Sequence, residues 1–162
     1  MRAAEDFARR NAQRFALQAT GFMQPIDRLI AEQDISRLIT QFGLLNDSAD
    51  WAAVTAMFTD DARFIRPAGG DPVVGRDAIR ASFESRPPRK SCHLITNIVV
   101  DVITTDEASA RSTLVLYAAP AGASEAKSPA LIGGFRDRLV HTSDGWKFAE
   151  RTGFLDLKVS LA

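Results

Sequence analysis

Two side chains in this sequence could carry out acid–base chemistry together: Asp47 and His93. The chain has only two histidines, and His93 opens its most regular alternating run. An imidazole needs only small changes in its surroundings to act as a base near neutral pH. A buried carboxylate beside it fixes its tautomer, favours the imidazolium formed on proton uptake, and so raises its pKa. Asp47 closes a helical apolar repeat of Ile30, Asp34, Leu38, Phe42 and Leu45, thickened by Ile35 and Ile39. A carboxylate is thereby set at the mouth of an apolar surface. The plain alternatives are a structural histidine bonded across a sheet and an aspartate that caps the next helix. Ser48 and Asp50 can serve as that cap equally well, which leaves Asp47 free. The two groups are therefore expected to meet. Strand alternation places His93, Ile95, Asn97 and Val99 on one face.

The other reactive residues carry less. Cys92 precedes His93, but successive strand side chains point to opposite faces, so a cysteine–histidine nucleophile is not expected. His141 lies beside the turn Ser143-Asp144-Gly145 and should be exposed. With no His-x-His or His-Glu-x-x-His spacing, no metal centre is expected. Gly69, Gly70 and Gly75 lack the lysine and spacing of a phosphate loop. Arg86, Arg89 and Lys90 form a small basic patch near the strand of His93. Without stacking aromatics beside them, they read as a solvated loop rather than a nucleic-acid site.

Composition narrows the class. With 162 residues the chain can form one domain with a substantial core. Lys+Arg and Asp+Glu number 20 each, so no global charge draws it to nucleic acid or a membrane surface. The lone Cys92 excludes an intrachain disulfide and fits a reducing compartment. No run approaches the ~20 apolar residues needed to span a bilayer, and the first ten residues lack a signal-peptide core. A cytoplasmic protein is the expectation.

The elements that must position these side chains follow in order. Residues 1–23 read as an arm, with a weak helix over Ala3–Leu17, and the domain proper occupies 24–162. The arm is expected to cover a neighbour or a pocket mouth, or to be a loosely docked tail. Periodicity predicts a main helix over Pro25–Leu45, a second over Trp51–Phe58 capped by Asp50, and a third over Gly75–Glu84. A short strand is expected at Ala62–Arg66. Four longer ones follow at His93–Ile103, Ala108–Ala119, Ala130–Thr142 and Trp146–Phe154, the last two joined by the Asp-Gly turn. Helices first and antiparallel strands after them imply an α+β fold, a curved sheet wrapped around helices.

Six short motifs in this order resemble the SnoaL-like branch of the nuclear transport factor 2-like superfamily. They are Asn46–Trp51, Met57–Ala62, Gly75–Ile79, His93–Asn97, Gly134–Asp137 and Gly145–Arg151. The resemblance covers about Arg28 to Phe154. It implies an α+β cone: a strongly bent, mostly antiparallel sheet closed by three helices around one deep pocket. Scytalone dehydratase and hexachlorocyclohexane dehydrochlorinase, within that superfamily, carry an aspartate and a histidine where Asp47 and His93 stand. The dehydrochlorinase also has a pocket arginine where Arg151 stands. Asn46 replaces a dehydratase tyrosine, and Phe42 replaces a dehydrochlorinase lysine.

The resemblance thus implies a lyase or isomerase that works without cofactor on a small hydrophobic hydroxylated or carbonyl compound. His93 would be the base and Asp47 its orienting partner. Asn97, Arg151, Phe42, Asn46 and Phe135 would contact the substrate, with Leu45 also lining the cone. Arg151 has an equal alternative, an ion pair with Asp137 on the adjacent strand. The rival reading is a non-catalytic ligand-binding protein or a structural subunit, such as the β-type subunit of ring-hydroxylating dioxygenases. A homodimer or homotrimer is expected, because an outer sheet face of Leu94, Ile98 and Val100 would otherwise stay exposed.

Overall fold

A computed structural model describes residues 23–126 and 129–157. The expected helix over Ala3–Leu17 lies outside the described residues. Helix α1 (Pro25–Asp47) opens with Pro25, whose fixed φ suits a first turn and whose missing N–H costs nothing there. It buries Ala31, Ile35, Ile39, Phe42, Gly43 and Asn46. The inward stripe is thus centred on Ile35 and Ile39, while Ile30 and Asp34 face outward, a correction to the expected centre of the repeat. The helix also runs two residues past the expected Leu45. Ser48 closes it by donating its backbone N–H to the Leu44 carbonyl, and Ala49 takes a left-handed φ of 55°.

Asp50 then accepts from the Ala53 N–H at 3.0 Å and starts α2 (Trp51–Ala56). This helix is shorter than expected, because Phe58 already belongs to a strand. Strand β1 (Phe58–Ile65) pairs with the two-residue β2 (Val73–Val74), and α3 (Arg76–Glu84) follows, burying Ile79 and Phe83. The remaining strands are β3 (Arg89–Val102), β4 (Glu107–Pro120), β5 (Pro129–Thr142) and β6 (Gly145–Leu157). They form an antiparallel meander, and β1 joins β6 in parallel, so the order is β2-β1-β6-β5-β4-β3. The α+β cone expected from the sequence is the fold observed, with its curved sheet left open rather than closed. Gly134 marks a crowded point of that sheet: a Cβ there would run into the Ser112 carbonyl oxygen.

Phe42 is the hub of the core. Its ring meets Phe58, Phe64, Phe83, Phe135 and Phe148 at centroid separations of 5.9–6.4 Å, mostly edge to face. No helix among the described residues is long and apolar enough to cross a membrane.

Strand β3 departs from strict alternation. Three steps along it, from Thr96 to Val99, run opposite two steps along β4, from Thr113 to Arg111. The extra residue is a β-bulge, and Asn97 sits in it with φ 50°. Before the bulge the odd residues face inward. After it the even ones do, so Ile98 and Val100 pack on the core while Val99 is 59% exposed. Two expectations are corrected. Asn97 is exposed instead of facing inward with His93, and the exposed apolar residues of the strand are Leu94 and Val99.

Candidate active site

Asp47 and His93 meet at the end of α1. His93 Nδ1 lies 2.5 Å from Asp47 Oδ1, with the imidazole side chain only 8% exposed. The His93 backbone N–H donates to Asp47 Oδ2 at 2.8 Å, and the Ser91 hydroxyl donates to Oδ1 at 2.8 Å. Three donors thus pin one carboxylate. A carboxylate at Nδ1 makes that nitrogen the protonated one, which leaves the Nε2 lone pair for a substrate. Ser91 was missed by the sequence reading, which started the strand at His93. The strand in fact begins at Arg89, and Ser91 shares the face of His93 two residues away.

Packing brings the pair together. A Cβ on Gly43 would lie 2.9 Å from Ile95 Cδ1 and 3.3 Å from His93 Cβ. Glycine at this turn lets α1 lie directly against β3. Asp50, not Asp47, caps α2, so the helix-cap alternative for Asp47 is resolved by its neighbour.

Burial lowers the His93 pKa from its ordinary 6.5, outweighing the hydrogen bond and charge of Asp47, which pull it upward. The nearby cations Arg89 and Arg86 push it the same way as burial. The expected rise is therefore corrected to a fall, since the sequence offered the carboxylate but not the depth of the ring. A neutral imidazole is the form a base requires.

His93 lines a cavity of about 350 Å³. Phe42, Phe64, Phe83 and Phe135 supply aromatic wall, and Leu114 and Leu116 of β4 add aliphatic wall. Asn46 also lines it, its Nδ2 donating to the Phe42 carbonyl at 2.8 Å. Three arginines also line it: Arg66 just past β1, Arg86 in the segment joining α3 to β3, and Arg89 at the start of β3. Arg86 and Arg89 are thus not merely solvated decoration. Burial, with the charges of Arg66 and Arg89, pulls the Arg86 guanidinium down to about 9.

Three expected members stand elsewhere. Asn97 is absent from the lining, rotated out by the bulge. Leu45 packs on the core. Arg151 is fully buried and donates to Asp137 Oδ2 at 2.7 Å, both side chains being 0% exposed. Its guanidinium lies 3.9–4.4 Å from the ring centres of Phe42, Phe135 and Phe148. The ion-pair alternative is the arrangement found, and the substrate-anchor expectation for Arg151 is corrected. Burial raises the Asp137 carboxyl to about 6 against the pull of Arg151.

The comparisons with known proteins agree with the fold. Residues 27–152 match the family model for the SnoaL-like domain. No curated protein compared with the chain matches it. Among solved structures, a candidate scytalone dehydratase from Novosphingobium aromaticivorans is 20% identical with a TM-score of 0.74, covering 86% of this chain and 93% of its own. A variant of Rv3472, a protein of unknown function from Mycobacterium tuberculosis, is 27% identical with a TM-score of 0.72, over 86% and 80%. A candidate aromatic ring hydroxylase from Novosphingobium aromaticivorans is 25% identical with a TM-score of 0.70, over 85% and 95%. With the domain match running from the first turns of α1 into β6, the chain belongs to the SnoaL-like family.

Proposed function

We propose that the protein is a lyase or isomerase that uses its own side chains for proton transfer on a small, mostly hydrophobic hydroxylated or carbonyl compound. The observation that carries the reading is the neutral-leaning imidazole of His93 on the cavity wall, held through Nδ1 by Asp47 at 2.5 Å. His93 Nε2 takes a proton from carbon next to a carbonyl, and the C–H electron pair moves onto the carbonyl oxygen as an enolate. The imidazolium then returns the proton to another carbon, which is isomerisation, or to a departing hydroxyl that leaves as water, which is dehydration. Asp47 stabilises the imidazolium between these steps. Asn46 commits one amide N–H to the Phe42 carbonyl, which leaves its second N–H and its side-chain carbonyl to a substrate carbonyl or hydroxyl. Phe42 and Phe135 hold the apolar part of the ligand.

The test is deuterium exchange in heavy water. A panel of cyclic ketones and β-hydroxyketones is incubated with the protein, and loss of the α-proton signal is followed by NMR. Exchange above the buffer rate that disappears in His93→Gln supports the reading. Exchange equal in the wild type and the variant contradicts it. The second reading, a non-catalytic ligand-binding or β-type subunit, draws on the likeness to the candidate aromatic ring hydroxylase. It predicts ligand binding with no exchange.

A further inference from the structure

The cavity wall holds three arginines, and none of its lining residues among those described is an aspartate or glutamate. That imbalance stands out in a chain whose formal charges cancel. Asp47, the carboxylate bonded to His93, already takes three hydrogen bonds. Arg86 lies with its guanidinium 4.0 Å from the Phe83 ring centre and 6.0 Å from that of Trp51. Phe83 and Trp51 stack on each other at 5.4 Å and 17°. The cation therefore rests on a rigid aromatic shelf that orients its fork without neutralising it. Arg66 is fixed by donating from Nη2 to the Ser82 carbonyl at 2.6 Å. Among the described residues, none of the three arginines makes an ion pair with an acidic side chain.

Three like charges converge on one cavity, one of them half-buried, at an evident cost in mutual repulsion. Burial and the two neighbouring cations both disfavour the charge on Arg86. An anion arriving between them would relieve that cost and form charge-assisted, two-pronged hydrogen bonds. Apart from Asn46 and His93, the rest of the lining is apolar, with four phenylalanines and three leucines among it.

We infer that the substrate is a compact ring compound carrying an anionic oxygen group, a carboxylate foremost, with that group seated on Arg66, Arg86 and Arg89 and its ring against the apolar wall of the cavity that His93 also lines. This deepens the reading above and rests on the same cavity being the substrate site. It does not depend on His93 acting as a base.

The experiment uses calorimetry on the full chain with 2-naphthoate and its neutral isostere 2-naphthamide. Naphthoate should bind at least about tenfold more tightly, since a hydrogen bond to a charged group contributes about 1.5–3 kcal/mol. That preference should shrink with added salt and collapse in Arg86→Met, whose apolar stem keeps the contact with Phe83. Arg89→Gln, at an exposed position, should weaken it without unfolding the protein. Equal affinity for acid and amide, no binding of either, or a preference untouched in both variants overturns the inference. Loss of proton exchange in His93→Gln bears only on the catalytic reading, so the two failures are distinguishable.

Discussion

At the scale of single residues, the burial of one ring decides the chemistry. Asp47 pulls the His93 pKa up, and desolvation with two nearby cations pulls it down and wins. In the proposed mechanism the base is then present above its lowered pKa and lost as pH falls through it. The acid limb of a kcat/KM profile should therefore have its midpoint below 6.5, the ordinary value. A midpoint above 6.5 would show that the carboxylate dominates instead. Removing the base by His93→Gln should cost about 10²–10⁴-fold in rate. Arg151 behaves differently because it works on the fold. With its partner Asp137 it is sealed among three phenylalanine rings, and three of the pair's polar atoms have no hydrogen-bond partner among the described residues. Removing either partner leaves a lone buried charge, so Asp137→Asn or Arg151→Met should each cost about 3–5 kcal/mol in urea unfolding. Losses within about 1 kcal/mol, as typical of exposed pairs, would contradict that account.

At the scale of elements, the site exists because α1 lies flat on β3. Gly43→Ala should be nearly neutral in thermal unfolding. Leaving glycine gains about 1 kcal/mol of helix propensity, and the atom 2.9 Å away is the flexible end of Ile95. Gly43→Leu should cost about 1–3 kcal/mol through overpacking and separate Asp47 from His93. The bulge in β3 gives a second case. Asn97 holds φ 50°, so Asn97→Gly should be tolerated and Asn97→Val should lose about 1–2 kcal/mol. Neither change should alter turnover beyond its effect on stability, since Asn97 stands outside the cavity.

These elements also show what the sequence made legible. Alternation is a local signal, so Cys92 and His93 were correctly assigned to opposite faces. One inserted residue reverses the faces downstream, and nothing in Thr96-Asn97-Ile98 announces it beyond an asparagine tolerant of positive φ. Three possible caps in four residues suggested a spare carboxylate, and Asp47 is that carboxylate. The centre of the α1 stripe slipped by one position because Ile30, Ile35 and Ile39 look alike until a core selects among them.

At the scale of the whole molecule, Phe42 couples stability to the shape of the cavity. The same ring is the core's hub and a wall of the cavity. Phe42→Ala should cost about 3–5 kcal/mol, so the cavity cannot be widened there without loosening the fold. The arginines were visible as a charge cluster, but only the packing of α3 against the sheet turned them from loop decoration into cavity wall. The pairing of an imidazole with an acid, read across 46 residues, is the claim on which the functional account stands. Its most direct measurement is a ¹⁵N NMR titration of the imidazole, with His141→Gln used to assign the signals. The account predicts a neutral ring protonated at Nδ1, titrating below 6.5 and changed by Asp47→Asn. A ring protonated at Nε2, or one indifferent to that substitution, would contradict it.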